Sequence, residues 1–255
     1  MNKLVWKLTA FYHNLADAVI CPSIISQTEL QRHGLKKPTA IIPNGLNLKE
    51  IKKPTAFAKN KLKKTFGIKN VAKIAIYVGR LAADKNLDVL IKSWKLVYNI
   101  MPASKLLIVG DGPKYRHLKN LVKILEIKES VVFTGAIARD KILKNGIYNV
   151  GDLFVTASKI ENHSLSMLEA MAHGLPLVGV NARGTPELID DQNGILVESD
   201  KPVLLADAMI KMFKDVNLRK KLAKGSLLKS KKYDISQTVN KLEAVYRVLV
   251  KFKTL

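Results

Sequence analysis

Leu153-Phe154-Val155-Thr156-Ala157 runs into Ser158-Lys-Ile-Glu161-Asn-His-Ser-Leu-Ser-Met-Leu-Glu169-Ala-Met-Ala-His-Gly174, and the reading of this stretch decides the fold. The apolar run has no polar alternation, which is the pattern of a parallel strand buried on both faces. Leu165, Leu168, Met171 and Ala172 then recur at helical spacing, and Gly174 is a helix stop. Glu161 therefore falls in a strand-to-helix loop, and Glu169 about one turn inside the helix. In open α/β sheets such loops lie at the carboxyl ends of the strands, where ligands bind. The helix start near Asn162, His163, Ser164 and Leu165 offers free N–H groups and a partial positive charge. Carboxylates accept paired hydrogen bonds from vicinal hydroxyls, so acid beside dipole suits a ligand with hydroxyls and phosphates, such as a nucleotide sugar. The plain alternative is a solvated loop charge at Glu161 and an ordinary helical acid at Glu169.

Seven residues separate Glu161 from Glu169, and Glu-Ala-Met-Ala-His-Gly-Leu-Pro-Leu-Val follows from Glu169. Glu-x7-Glu with this tail resembles the signature of retaining GT-B glycosyltransferases of the family 4, or group 1, type. The resemblance implies that Glu161 contacts the transferred sugar, Glu169 the nucleotide ribose, and the backbone at Asn162, His163, Ser164 and Leu165 the sugar and phosphate. Many relatives have small residues in that loop, so His163 is a departure that bears on donor identity.

Upstream, Gly79-Arg80-Leu81-Ala82-Ala83-Asp84-Lys85 leaves an apolar strand, Ile74 to Val78, and opens a helix. An Arg fork and a Lys point charge can flank a diphosphate and stabilise it as a leaving group; two surface cations are the simpler reading. The stretch resembles the family's Gly-Arg-Leu-x-x-x-Lys motif, which implies a catalytic set of Arg80, Lys85 and Glu161. One glycine at Gly79, rather than Gly-x-Gly-x-x-Gly, argues against a dinucleotide enzyme. After Phe133-Thr134-Gly135 the resemblance places Ile137 against the base, with Arg139 either stacked on it or facing solvent. Gly110-Asp111-Gly112-Pro113 reads as a structural turn, and Thr185-Pro186-Glu187-Leu188 as a helix cap.

Strands at Ile74–Val78, Lys105–Val109, Val131–Phe133, Leu153–Thr156, Leu177–Val180 and Ile195–Val197 alternate with helical stripes, the pattern of a parallel sheet flanked by helices. Leu87, Leu90, Ile91, Trp94 and Val97 form one such stripe. The expected fold class is α/β, a Rossmann-like domain of GT-B type. Residues 1–18 read as a helix with Leu4, Leu8, Phe11, Leu15 and Ala18 on one face. A strand at 18–23, a helix at 26–33 and a strand at Thr39–Ile42 follow, and Pro43-Asn44-Gly45 is a turn. This segment resembles the end of the family's amino-terminal domain, so most of that domain, with its acceptor pocket and catalytic His, has no counterpart. The expected division is 1–48, a remnant of the acceptor-side domain and hinge; 49–232, the nucleotide-sugar-binding domain; and 233–255, a crossing helix with Val239, Leu242, Val245, Tyr246 and Leu249 on its apolar face.

The formal charge is +22, with 43 Lys and Arg against 21 Asp and Glu. Such a field attracts anionic lipid, phosphorylated ligands or nucleic acid, although a solvated Lys-rich surface explains it as well. Only seven cations are Arg and aromatics make up 6%, so base reading is disfavoured. Cys21 stands alone, which fits a reducing cytoplasmic setting. The expected partners are a UDP- or GDP-hexose, an anionic membrane face or lipid acceptor, and a separate acceptor domain; no obligatory cofactor and no protein-bound metal are expected. The rival functions are a non-catalytic donor-binding half and a basic nucleic-acid binder.

Overall fold

The structure, a computed structural model, describes residues 3–52, 54–68, 73–144 and 146–253. The chain opens with a small unit: α1 (Lys3–His13), β1 (Val19–Cys21), α2 (Ile24–Arg32) and β2 (Thr39–Ile41), with β1 and β2 paired in parallel. Of the face expected on the first helix, Leu8, Phe11 and Leu15 are exposed, and Leu4 lies outside the residues whose side chains are described. That helix ends at His13, not at residue 18. Asn14 turns the chain there: its amide donates to the Gly34 carbonyl at 2.8 Å and accepts from the Lys36 N–H at 2.8 Å. α2 starts two residues earlier than expected because Ser23 caps it in a reciprocal box with Ser26. Val19, Cys21, Leu30 and Leu35 form the small unit's own core.

The large domain follows as α3 (Ala56–Thr65), β3 (Lys73–Val78), α4 (Leu87–Ile100), β4 (Ser104–Val109), α5 (Tyr115–Ile124), β5 (Val131–Phe133), α6 (Arg139–Lys144), β6 (Leu153–Val155), α7 (Leu165–Ala172), β7 (Leu177–Val180), α8 (Thr185–Leu188), β8 (Gly194–Val197), α9 (Pro202–Lys214), α10 (Val216–Ser230) and α11 (Ile235–Lys253). The six strands lie in the order β5-β4-β3-β6-β7-β8, every neighbour parallel. β3 is thus a central strand, and the order changes direction beside it, which opens a crevice outside the carboxyl ends of β3 and β6.

Both sheet faces are dry, which is why the strands read as unbroken apolar runs. On one face α4 presents Leu87, Leu90, Ile91, Trp94 and Val97, each at most 1% exposed, against α9's Met209 and Phe213. On the other, Met167, Leu168 and Met171 of α7 meet Ile76, Leu107 and Phe154. α6 and α8 were not legible as helices: six and four residues are too few to show a period. α11 and the segment before it return to the turn after β2. Leu46 and Tyr233–Ile235 exchange backbone hydrogen bonds of 2.8 Å in both directions, and the Thr238 hydroxyl donates to the Pro43 carbonyl at 3.2 Å. Beyond that contact the apolar face of α11 is partly covered: Leu242, Val245 and Leu249 are half-buried, while Val239 and Tyr246 are exposed.

Two sites make this architecture testable. Gly110 ends β4 at φ +142°, and a Cβ there would lie 1.9 Å from the Gly79 carbonyl oxygen. Gly110→Ala therefore has to move backbone at the crevice, and urea titration should show a loss of at least about 2 kcal/mol. His173 closes α7 with its ring buried, stacked on Tyr148 and bonded through Nδ1 to Asn149 Oδ1 at 2.9 Å. Burial pushes its pKa down to about 4. The unfolded chain protonates this ring near pH 6.5 and the folded chain does not, so stability is full above pH 6.5 and declines as the pH falls toward 4. Between pH 7 and 5 the loss from this group approaches about 2 kcal/mol. Chemical denaturation of His173→Asn should show a correspondingly flatter pH dependence; an unchanged slope would remove His173 from the account.

Candidate functional site

The crevice at the carboxyl ends of β3 and β6 holds a cavity of about 300 Å³, walled by Gly79 and Lys85 on one side and Glu161, His163, Ser164 and Leu165 on the other. Asn44, Tyr77, Val78, Thr156 and Ser166 complete the wall, and sequence reading had named none of the five as site residues. Asn44 was legible only as part of a turn, while Tyr77 and Thr156 were legible as strand residues.

Lys85 reaches this cavity because the chain turns sharply between β3 and α4, with Asn86 left-handed at φ 52°. Its ammonium meets Glu161 Oε1 at 2.7 Å and Asp84 Oδ2 at 3.5 Å. The cation expected at a diphosphate and the acid expected at a sugar are thus one ion pair. Arg80 is not brought into the cavity wall. Its guanidinium pairs with Asp84 at 3.2 Å, and its side chain is 66% exposed.

α7 starts at Leu165 with Ser164 as N-cap, and no side chain caps its first turn. The Ser164 hydroxyl instead meets Ser166 Oγ at 3.1 Å. The first N–H groups of α7 therefore stay available to an anion at the edge of the cavity. The loop before it is held on both flanks. Asn44 donates its side-chain amide to the His163 carbonyl at 3.0 Å, and Gly184 donates its N–H to the Glu161 carbonyl at 2.8 Å. Asn162 Oδ1 accepts from Arg183 at 3.3 Å. The His163 ring is buried beside Tyr233 at 5.3 Å, its Nδ1 has no partner, and burial lowers its pKa, which favours the neutral ring.

Glu169 sits one turn inside α7, buried, with both carboxylate oxygens occupied. Arg139 Nε donates to Oε1 at 2.7 Å and the Tyr148 hydroxyl to Oε2 at 2.8 Å. Burial, then the Glu169 charge, raises the Tyr148 pKa far above that of a free phenol, which keeps the hydroxyl a donor. Sequence reading left Arg139 between base stacking and solvent; its side chain is 56% exposed, and its Nε is paired with Glu169. Tyr148 was missed because nothing local marks a buried tyrosine as an acid's partner. Ile137 packs, half-buried, against the sheet face that carries α7. Among the described residues no group of three or more His, Cys, Asp and Glu side chains is placed to hold a metal ion.

Residues 58–227 match the family described as Glycosyl transferases group 1. The alpha-monoglucosyldiacylglycerol synthase of Streptococcus pneumoniae is 33% identical over 180 residues, covering 70% of this chain and 40% of that protein. The N-acetyl-alpha-D-glucosaminyl L-malate synthase of Bacillus anthracis is 31% identical over 201 residues, covering 78% and 50%. The chain thus spans about half the length, or less, of these curated relatives. Among solved structures, Anabaena HepE in complex with UDP-glucose superimposes with a TM-score of 0.87 at 22% identity, over 97% of this chain and 68% of that one. Sucrose-phosphate synthase from Thermosynechococcus elongatus gives 0.86 at 24% identity, over 98% and 62%. A match across most of the large domain, on a parallel sheet shared with GT-B enzymes, means that this chain belongs to the group 1 glycosyl transferases and corresponds to a carboxyl-terminal type of half.

Proposed function

We propose that the chain binds a UDP-hexose and serves the transfer of its sugar, with retention of configuration, to a lipid or cell-envelope glycan. The observation that carries this is the Lys85–Glu161 pair in the crevice beside the uncapped start of α7. A diphosphate entering there meets a cation and a helix N-terminus together, and a sugar meets a carboxylate already oriented by an ammonium. Lys85 would draw toward the phosphate as the leaving group gains charge, with Arg80 swinging in from the surface to share it. Glu161 would then be free to accept from sugar hydroxyls, with the backbone of Asn162 to Leu165 around them.

Glu169 is the proposed ribose ligand. Two vicinal hydroxyls can replace the Arg139 contact, while Tyr148 keeps the carboxylate in place. The released Arg139 and the backbone at Ile137 would lie along the base. UDP is preferred over GDP because HepE is described in complexes with UDP and UDP-glucose. A lipid acceptor is preferred because two matched relatives carry the name alpha-monoglucosyldiacylglycerol synthase. The +22 charge suits peripheral work on an anionic membrane face. No helix among the described residues is long and apolar enough to cross a membrane.

A second reading is a donor-binding half that works with a separate acceptor-side partner. It is favoured by exposed apolar side chains on α1 and α11, with Phe11 at 60% and Tyr246 at 59% exposure.

Calorimetric titration separates these ideas. UDP and UDP-glucose should bind the wild type, GDP more weakly. Glu169→Ala should weaken UDP binding at least tenfold, and Lys85→Ala should weaken UDP-glucose by about 10–100-fold, the range expected for a lost charge-assisted hydrogen bond. No nucleotide binding by a well-folded wild type would defeat the proposal. Nucleotide binding without sugar transfer to diacylglycerol vesicles would favour the donor-half reading.

A further inference from the structure

Glu187 does something its sequence context did not announce. It lies on the short helix α8, yet its carboxylate is used elsewhere. Oε2 accepts from the Ile24 N–H and Oε1 from the Ile25 N–H, both at 3.1 Å and both more than 160 residues away in sequence. These are the first two N–H groups of α2. The Ser23 hydroxyl takes the third, from Ser26. One carboxylate of the large domain thus completes the cap of a helix in the small unit, where the helix dipole also favours its charge. Among the described residues, α2 takes no other hydrogen bond from the large domain.

The base of α8 is fixed to the loop that walls the crevice. Gly184 donates to the Glu161 carbonyl, and a Cβ on Gly184 would lie 1.9 Å from the Asn162 carbonyl oxygen. The loop's other flank is held by Asn44, just past β2, through the His163 carbonyl. Two of the contacts on residues 161–163 therefore lead to the small unit, one through the turn after β2 and one through α8 and Glu187, while Lys85 and Arg183 meet Glu161 and Asn162 from within the large domain.

We propose that Glu187 is a positioning residue. By clamping α2 it sets the register of the small unit against the loop 161–163, and so shapes the sugar end of the crevice without touching the ligand. The nucleotide end, with Glu169 inside α7 and Tyr148 in the 3-10 turn 147–150 before β6, makes no contact with this clamp among the described residues. The binding arm of the test rests on the UDP-hexose reading above; the exchange arm does not.

Glu187→Ala and Glu187→Gln answer the question on the intact chain by hydrogen exchange and titration together. In Glu187→Ala, exchange should quicken in the peptide containing Ile24 and Ile25 and also in the peptide spanning 160–166. Affinity for UDP-glucose should fall 5–20-fold while UDP stays within twofold. Glu187→Gln keeps one oxygen acceptor and should fall between Ala and wild type in both readouts. Faster exchange in α2 with an unchanged 160–166 loop would overturn the proposal, as would equal losses for UDP and UDP-glucose, which a general loss of fold produces. If the wild type binds no UDP-glucose, the donor reading fails, and the 160–166 exchange alone decides whether Glu187 acts as a clamp.

Discussion

A parallel strand cannot be followed by its neighbour through a tight turn, and most of this molecule follows from that constraint. Each strand from β3 to β8 needs a return path along a face of the sheet, so the returns bury both faces and leave every strand pointing the same way. All six strand ends then discharge their loops at one edge. The loops after β3 and β6 are adjacent there because those strands pair, although some 75 residues separate Gly79 from Val155 in the chain. Lys85 and Glu161 meet because their strands do.

The two acids of the crevice are held by different partners. Glu161 pairs with a Lys ammonium on a flexible stem, and Glu169 pairs with an Arg and accepts a hydrogen bond from a buried phenol. A cation that a ligand can attract away is a suitable resting partner, because it keeps a carboxylate oriented without holding it permanently. The phenol is different: Tyr148 has no exposed surface and stays put. The arrangement thus combines one fixed donor with two displaceable ones.

Much of the large domain could be read from periodicity. The six strands appeared within one or two residues of their places, and the α4 stripe was complete, because burial on both sheet faces leaves long apolar runs and burial of one helix face leaves a 3.6-residue period. Local polar contacts were harder. The first helix stopped early because Asn14 reaches across to Gly34 and Lys36, and no local pattern announces such a bond. In the crevice, the residue types and their loops were legible, but their pairings were not. Arg80 read like Lys85 and lies at the surface, while Arg139 was left between the base and solvent and pairs with Glu169. Tyr148 and Asn44 became visible only when distant parts of the chain were brought together.

The bridge between the hinge and α11 bears on the order in which the molecule is built. The Thr238 hydroxyl and the Pro43 carbonyl are 195 positions apart, and a Cβ on Gly45 would fall 2.6 Å from that same hydroxyl. During synthesis the small unit emerges first, carries its own miniature core, and waits while the large sheet is made. Its seat is finished only when the segment at 233–238 arrives and closes a loop of 195 positions. Contacts of such high sequence separation form late, after the local helices and the βαβ crossovers have paid their smaller ordering costs. The side of the crevice that Asn44 supports therefore depends on a contact that only the segment at 233–238 supplies.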